Sequence, residues 1–292
     1  MKILVTGANG MLGTSLCPIF ASSGHEVKAT DVVTQDHRVE YLDVTDRESV
    51  WDQVSEFHPD MVIHLAAETD VDQCELDPRR AYNTNTMGTL NVTLACQRAA
   101  IPMGFVSTIG VFYGDKLEPY TEFDTPNPIN LYGHSKLAGE SVVQQLLDRF
   151  YIVRAGWMMG GGPQKDKKFV GKMVRLMRQN NEVRVVNDKY GSMTYAVDFS
   201  KCVLKLFESG VYGMYHCTNR DHASRYEIAL KIAELLGAKV RVTPVSSASF
   251  PLPARRARSE MSLNYKLDLL GMDTMRNWEE ALLDYISTNW TE

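Results

Sequence analysis

MKILVTGANGMLG (1–13) is a short apolar run that leads straight into a glycine turn, and a helical pattern through Leu16, Ile19 and Phe20 follows it. Strand, tight turn and helix in that order open a dinucleotide-binding unit. Within GANGMLG (7–13), Gly7 permits the sharp turn, Gly10 lets backbone amides approach a pyrophosphate, and Gly13 lets the helix lie close to the sheet. The helix N-terminus adds partial positive charge beside the phosphates. A glycine triplet alone is weak support. The next strand, HEVKATD (25–31), however, ends in Asp31, about 20 residues on, where an acid accepts hydrogen bonds from an adenosine ribose diol. A ligand-free glycine turn with a surface Asp would leave that placement to chance.

Beyond this unit the apolar runs keep alternating with helical patterns. Strands are expected at 2–6, 26–30, 39–42, 61–66, 103–107 and 151–154, and helices at about 11–22, 46–57, 78–99 and 132–148. The alternation predicts an α/β fold built on a doubly wound parallel Rossmann sheet. Asp43, just past the third strand, is a candidate adenine contact or equally a turn or N-cap residue. After the fourth strand, Leu65, Ala66 and Ala67 would let a cofactor lie against the backbone. His64, inside that strand, reads as a packed histidine rather than a ligand, and no Cys or His cluster suggests a metal.

The chemistry is carried by LYGHSK (131–136), where Tyr132 and Lys136 stand four residues apart and so share one face of a helix. A phenol titrates near ~10, and a neighbouring ammonium favours its ionised form, so the Tyr becomes a proton donor and acceptor for carbonyl–alcohol chemistry. Tyr-x-x-x-Lys also arises by chance in many helices; the glycine unit upstream gives it meaning. Ser107 and Thr108, at the end of the fifth strand, supply hydroxyls that could bind a substrate carbonyl.

Composition is that of an ordinary soluble enzyme: 292 residues, 44% hydrophobic, net charge −5, with Lys and Arg dispersed apart from two small clusters. Nothing in this suggests nucleic acid. The N-terminal apolar run is too short for a signal peptide or membrane span, and five cysteines without metal or disulfide spacing read as reduced. A cytoplasmic protein without a membrane partner is expected.

Several further segments carry a resemblance: HLAAETDVDQCE (64–75), NTNTMGTLNV (83–92), VST (106–108), PYTEFDTPNPINLYGHSKLAGE (119–140), VRAGW (153–157), GSMTYAVDF (191–199) and FPLPARRARS (250–259). With GANGMLG, they make the chain resemble the extended short-chain dehydrogenase/reductases, and within them the dTDP-4-dehydrorhamnose reductase family, over essentially its whole length. The resemblance implies Thr108, Tyr132 and Lys136 as catalytic triad. It implies Gly7, Gly10, Met11, Leu12, Asp31, Asp43 and Val44 around adenosine and pyrophosphate, with Tyr132 and Lys136 also at the cofactor, and Thr69, Val71 and Trp157 as sugar contacts. Departures stand beside it. Where family members usually read STDYVF this chain reads STIGVF, so Ile109 and Gly110 replace an Asp and a sugar-touching Tyr, and Gly110 is expected to leave open volume. Met193 in GSMT replaces the usual proline, and the segment before it reads DKYGS. One relative in the family is a non-catalytic regulatory subunit of methionine adenosyltransferase, so fold resemblance alone does not establish an enzyme.

The remaining third is expected to form a smaller α/β substrate-binding domain: 1–156, joined by about 192–217, would bind the dinucleotide, and 157–191 with 218–292 the substrate. MMGGGPQKDKKFVGK (158–172) suggests a mobile loop closing over substrate. Its Lys165, Lys167 and Lys168 read as diphosphate contacts or as a solvated basic surface. Arg255, Arg256 and Arg258 form the second cluster, for which the resemblance favours phosphate contact, Arg256 foremost. The runs 226–237 and 277–286 read as covering helices. The expected activity is NAD(P)H-dependent reduction of a nucleotide-linked 4-keto-6-deoxyhexose, dTDP-4-dehydro-L-rhamnose to dTDP-L-rhamnose, with Asp31 favouring NADH and tolerating NADPH. The alternatives are a nucleotide-sugar epimerase or dehydratase, and a dinucleotide-binding regulatory subunit. A homodimer is left open.

Overall fold

Each of the six expected apolar runs pairs with its neighbours in parallel, as β1 (Lys2–Thr6), β2 (Glu26–Asp31), β3 (Val39–Tyr41), β4 (Met61–His64), β5 (Met103–Thr108) and β6 (Phe150–Ala155). The computed structural model describes residues 1–34 and 37–290. Later come β7 (Trp157–Met159), β8 (Glu182–Val186), β9 (Tyr190–Gly191), β10 (Met193–Tyr195), β11 (Gly213–His216), β12 (Ala223–Ser224), β13 (Arg241–Val245) and β14 (Ser259–Glu260). The main sheet has seven strands in the order β11-β6-β5-β4-β1-β2-β3. Strand order reverses between β1 and β4, the switch point at which such sheets bind ligands beyond their carboxyl ends. The fold is therefore a doubly wound Rossmann sheet.

The helices are α1 (Gly13–Ser22), α2 (Arg47–Phe57), α3 (Val71–Leu76), α4 (Pro78–Tyr82), α5 (Thr89–Ala99), α6 (Leu131–Leu146), α7 (Gly162–Lys165), α8 (Phe169–Gln179), α9 (Ala196–Ser209), α10 (Arg225–Leu235), α11 (Tyr265–Leu269) and α12 (Trp278–Asn289). Apolar side chains of α1 and α9, among them Leu16, Phe20, Phe199 and Val203, cover one face of the sheet. Val50, Val54, Val92, Ala95 and Val143, from α2, α5 and α6, cover the other. A separate apolar cluster joins α8, α10 and α12 through Val174, Ile228, Ile232, Leu282 and Tyr285.

The expected single helix over 78–99 is interrupted. Residues Asn83–Gly88 widen into a π-helical segment between α4 and α5. There the Asn85 amide is turned inward, accepting from Glu68 N at 2.8 Å and donating to Glu68 O at 3.0 Å. A widened turn is the usual way a helix accommodates such a diversion.

One polar group crosses the core. Arg154 on β6 grips Glu140 on α6 through Nε–Oε1 at 2.9 Å and Nη2–Oε2 at 2.6 Å, both side chains being about 1% exposed. Ser107 Oγ donates to the same carboxylate at 2.5 Å. No helix among the described residues is long and apolar enough to cross a membrane. All five cysteines are free thiols.

Candidate active site

The glycine turn is shaped by close approach. Gly7 has φ +71°, and a β-carbon there would lie 2.5 Å from Ala66 N, so the turn seats directly on the chain leaving β4. Leu65 still bonds Thr6 O, but the backbone then leaves the sheet, which ends β4 at His64 rather than at 66. A β-carbon on Gly13 would meet Ala8 O at 2.3 Å, so the close packing that Gly13 allows is against the turn itself, not the sheet. At Gly10 a β-carbon would meet only Gly7 O, at 3.2 Å, which leaves its outer side open to a ligand. Met11 and Leu12 follow into α1. A pyrophosphate fits this cradle.

Asp31 has partners within the chain itself. Its Oδ2 accepts Asn9 N at 3.0 Å and its Oδ1 accepts Val33 N at 2.9 Å, so the carboxylate also holds the glycine turn against the end of β2. Asp43 accepts Thr45 N at 2.9 Å and Thr45 Oγ1 at 2.8 Å, which is the turn role; the N-cap of α2 is Asp46. Val44 is buried, against Gly88. His64 is buried between Thr6 Oγ1 at 2.7 Å and Thr89 Oγ1 at 3.2 Å, and burial, with Lys136 nearby, pulls it down to about 3, so it is a neutral packed side chain. Among the described residues no group of His, Cys, Asp and Glu is placed to hold a metal.

Of the expected Thr108, Tyr132 and Lys136, the first ends β5 near the Tyr132 phenol, and Lys136 follows one turn later on α6. Thr108 Oγ1 accepts Gly110 N at 3.0 Å, and its hydroxyl lies close enough to the Tyr132 phenol to favour the ionised form. The approach depends on Gly133, where a β-carbon would lie 2.4 Å from Gly110 O. Asn130 caps α6, accepting Gly133 N at 2.9 Å. Lys136 is buried with Nζ 4.1 Å from the Phe105 ring centroid. Burial pulls this ammonium down to about 7, opposed by Glu140 one turn along the helix. Tyr132 is half-buried, yet the protein around its hydroxyl pushes the phenol above its ordinary value, with nearby Thr108 working against that shift. The expectation that Lys136 holds Tyr132 low is thus not met, because desolvation of the phenol outweighs every opposing influence. Ser107 is separated from Thr108 by strand alternation: it points at Glu140 and is not a substrate contact.

On the substrate side, the volume expected at Gly110 is not open. A β-carbon there would lie 3.2 Å from Thr108 Oγ1 and 3.3 Å from Glu260 Oε1. Glu260, on β14, also accepts a hydrogen bond from Trp157 Nε1. Trp157, expected as a sugar contact, is itself covered: the Arg225 guanidinium lies 3.4 Å from its ring centroid, and Gly191 lacks a side chain where the indole sits. Arg225 is pulled down to about 10 by burial, with Glu260 opposing. Thr69 receives Lys168 Nζ on its carbonyl at 2.7 Å and its hydroxyl at 3.2 Å, while Val71 opens α3. Arg256 pairs with Asp72 at 2.8 Å and donates to Ala254 O, so in this structure its charge is already engaged. Lys165 reaches Asn9 Oδ1 at 2.7 Å, and Lys167 is exposed.

Sequence reasoning missed Asn85, Glu260 and Arg225. Asn85 donates to Ser135 Oγ at 2.9 Å and Thr86 to Ser135 O at 2.9 Å, tying the π segment to α6 between Tyr132 and Lys136. The Asn in NTNTMG, inside an otherwise helical run, was the available signal.

Residues 1–290 match the family described as RmlD substrate binding domain. The chain belongs to this family. A solved dTDP-4-dehydrorhamnose reductase from Clostridium acetobutylicum is similar at 39% identity, with 99% of each chain covered and a TM-score of 0.93. Another, from Bacillus anthracis in complex with NADP, is 36% identical, covers 98% of this chain and 99% of its own, and has a TM-score of 0.92. The dTDP-4-keto-6-deoxy-D-glucose reductase of Streptomyces niveus is 34% identical over 96% of this chain and 94% of its own.

Proposed function

We propose that this chain is a nicotinamide-dependent reductase of a nucleotide-linked 4-keto-6-deoxyhexose, with dTDP-4-dehydro-L-rhamnose as the expected substrate and dTDP-L-rhamnose as product. The observation that carries it is Thr108 close to the Tyr132 phenol, with buried Lys136 one turn along α6, at the carboxyl end of the sheet that also bears an open glycine cradle. A bound reduced nicotinamide supplies the hydride. Thr108 orients the substrate carbonyl, Tyr132 gives its proton to the developing alkoxide, and Lys136 in its charged form steadies the phenolate left behind. Gly7, Gly10, Met11, Leu12, Asp31 and the backbone of Leu65, Ala66 and Ala67 would hold the dinucleotide. Residues 1–156 with about 192–217 form the cofactor part, and 157–191 with 218–292 the sugar part.

For the cofactor, Asp31 favours the free ribose diol of NADH over a 2′-phosphate, while the relative bound to NADP supports use of NADPH as well. Because Asp31 also anchors Asn9 and Val33, Asp31→Asn should weaken NADH binding as well as narrow the preference.

The test is to follow oxidation of each cofactor with dTDP-4-dehydro-L-rhamnose. Turnover is expected with both, faster with NADH in kcat/KM. Tyr132→Phe should lower kcat about a hundredfold or more with cofactor affinity kept, since only the transferable proton is lost. Near-wild-type turnover of Tyr132→Phe would mean that the proton comes from elsewhere.

A further inference from the structure

Glu260 is a carboxylate at the heart of the pocket that the reduction just described does not use. Trp157 Nε1 donates to its Oε2. Among the described residues no hydrogen-bond donor reaches Oε1. The residue is half-buried, and Oε1 faces the bare α-carbon of Gly110, a β-carbon on which would also touch Thr108 Oγ1. The free carboxylate oxygen and the hydroxyl that orients the substrate carbonyl therefore lie side by side next to Gly110. Glu260 also lies near enough to Tyr132 for its charge to oppose ionisation of the phenol. Its backbone is fixed: Ser192 N donates to Glu260 O at 3.2 Å, and Ser259 N to Gly114 O at 3.0 Å. An ionised carboxylate has capacity for about four hydrogen bonds, and holding one in a half-buried pocket with a single donor is costly unless a ligand brings another.

The ligand chemistry follows from the neighbour. With the carbonyl at Thr108, the group beside it on the sugar falls at Oε1. A 4-keto-6-deoxyhexose has two carbons next to the carbonyl: C5 bears the methyl group and ring oxygen and offers no donor, whereas C3 bears a hydroxyl. We infer that Glu260 selects the sugar by accepting a hydrogen bond from this C3 hydroxyl, which makes it a specificity-determining residue; the inference rests on the reductase reading above. Arg225, stacked on Trp157, places a positive charge near this carboxylate.

The experiment compares the dTDP-linked 4-keto-6-deoxyhexose with its 3-deoxy counterpart. Wild type should prefer the 3-hydroxy sugar by about thirtyfold or more in kcat/KM, because a site built to bind a hydroxyl rejects the analogue that lacks it. Glu260→Ala should raise KM for the 3-hydroxy sugar, leave the 3-deoxy sugar nearly unaffected, and shrink the preference below about fivefold. Equal losses for both sugars would overturn the inference, leaving Glu260 as a prop for Trp157 alone. Gly110→Ser is the second variant. Its hydroxyl would engage Oε1 from the Gly110 side without touching the Trp157 bond, and should likewise erase the preference; an unchanged preference there also overturns it. Should wild type reduce neither sugar, the reductase reading itself fails. Wild-type turnover with an unaltered preference in the variants removes only the role of Glu260.

Discussion

At Lys136 two requirements pull against each other. Catalysis needs an ammonium near Tyr132, while the surroundings that exclude water disfavour one and pull it down to about 7 against the opposing charge of Glu140, with the Phe105 ring nearby. Reduction should therefore be fastest where Lys136 is charged. As pH rises through about 7 the ammonium is lost, and kcat/KM should fall although Tyr132, pushed upward, is still protonated. A pH–rate profile checks this, and Lys136→Arg, whose charge persists, should lose that limb even if slower overall; a wild-type rate flat to pH 9 would contradict it. Stability moves the other way. The folded pKa of this cation is depressed below its unfolded value of ~10.4, so the full cost of holding the charge applies below about 7 and is relieved as pH rises towards ~10.4. Urea midpoints of wild type should climb relative to Lys136→Met across that window, and identical pH trends in the two would show that Lys136 is not desolvated. Tyr132 and Lys136 were legible in sequence because one helical turn relates them. Glu260 and Arg225 were not, since only the pairing of β14 with β9 and the packing of α10 bring them to Trp157, and neither event leaves a local pattern.

Two elements fix where that chemistry happens. Helix α6 is pressed onto the turn after β5 at Gly133, capped by Asn130, and gripped from the side by Asn85 and Thr86 of the π segment. The alternating strands were readable from their apolar runs, and α6 from its cap and periodicity. The π segment was not, because its cause is a long-range bond between Asn85 and the Glu68 backbone that helical spacing cannot reveal. This geometry yields a prediction at Gly133. A β-carbon would sit 2.4 Å from Gly110 O, backbone that cannot swing aside as a side chain can, so Gly133→Ala must move α6 away from Thr108. Displacing a proton donor by about an ångström costs on the order of a hundredfold in rate. We expect kcat to fall by tenfold to a hundredfold with the dissociation constant for the dinucleotide changed less than threefold, since the glycine cradle is untouched. Equal damage to kcat and cofactor affinity, measured by turnover and fluorescence titration, would indicate general unfolding of the site instead.

Across the whole molecule, the segment after β7 spans the cleft between the sheet and the apolar cluster of α8, α10 and α12. Gly160 and Gly161 lie against Met11, where β-carbons would stand 3.6 Å and 3.5 Å from its side chain and backbone. At one end Asp166 is buried and anchored, accepting from Tyr285 Oη at 3.0 Å and Gly171 N at 3.1 Å. From this base Lys165 reaches Asn9 on the glycine turn and Lys168 reaches Thr69 beyond β4, so one short strap is fastened on both sides of the place proposed for the pyrophosphate. Its glycines and lysines were visible in sequence, but which partners they meet depends on the crossing of the cleft. If the dinucleotide lies where proposed, this strap stands in its way out. Each lysine contact is a charge-assisted hydrogen bond near the surface, and its release is worth about 0.5–1.5 kcal/mol after allowance for solvent, or roughly threefold to tenfold in a rate. Lys168→Ala and Lys165→Ala should each speed NADH dissociation by that factor in stopped-flow fluorescence, and the double variant by more, with thermal stability of the free protein little changed because Asp166 and Tyr285 keep the base in place. Dissociation as slow as wild type in the double variant would show that the strap does not hold the cofactor in.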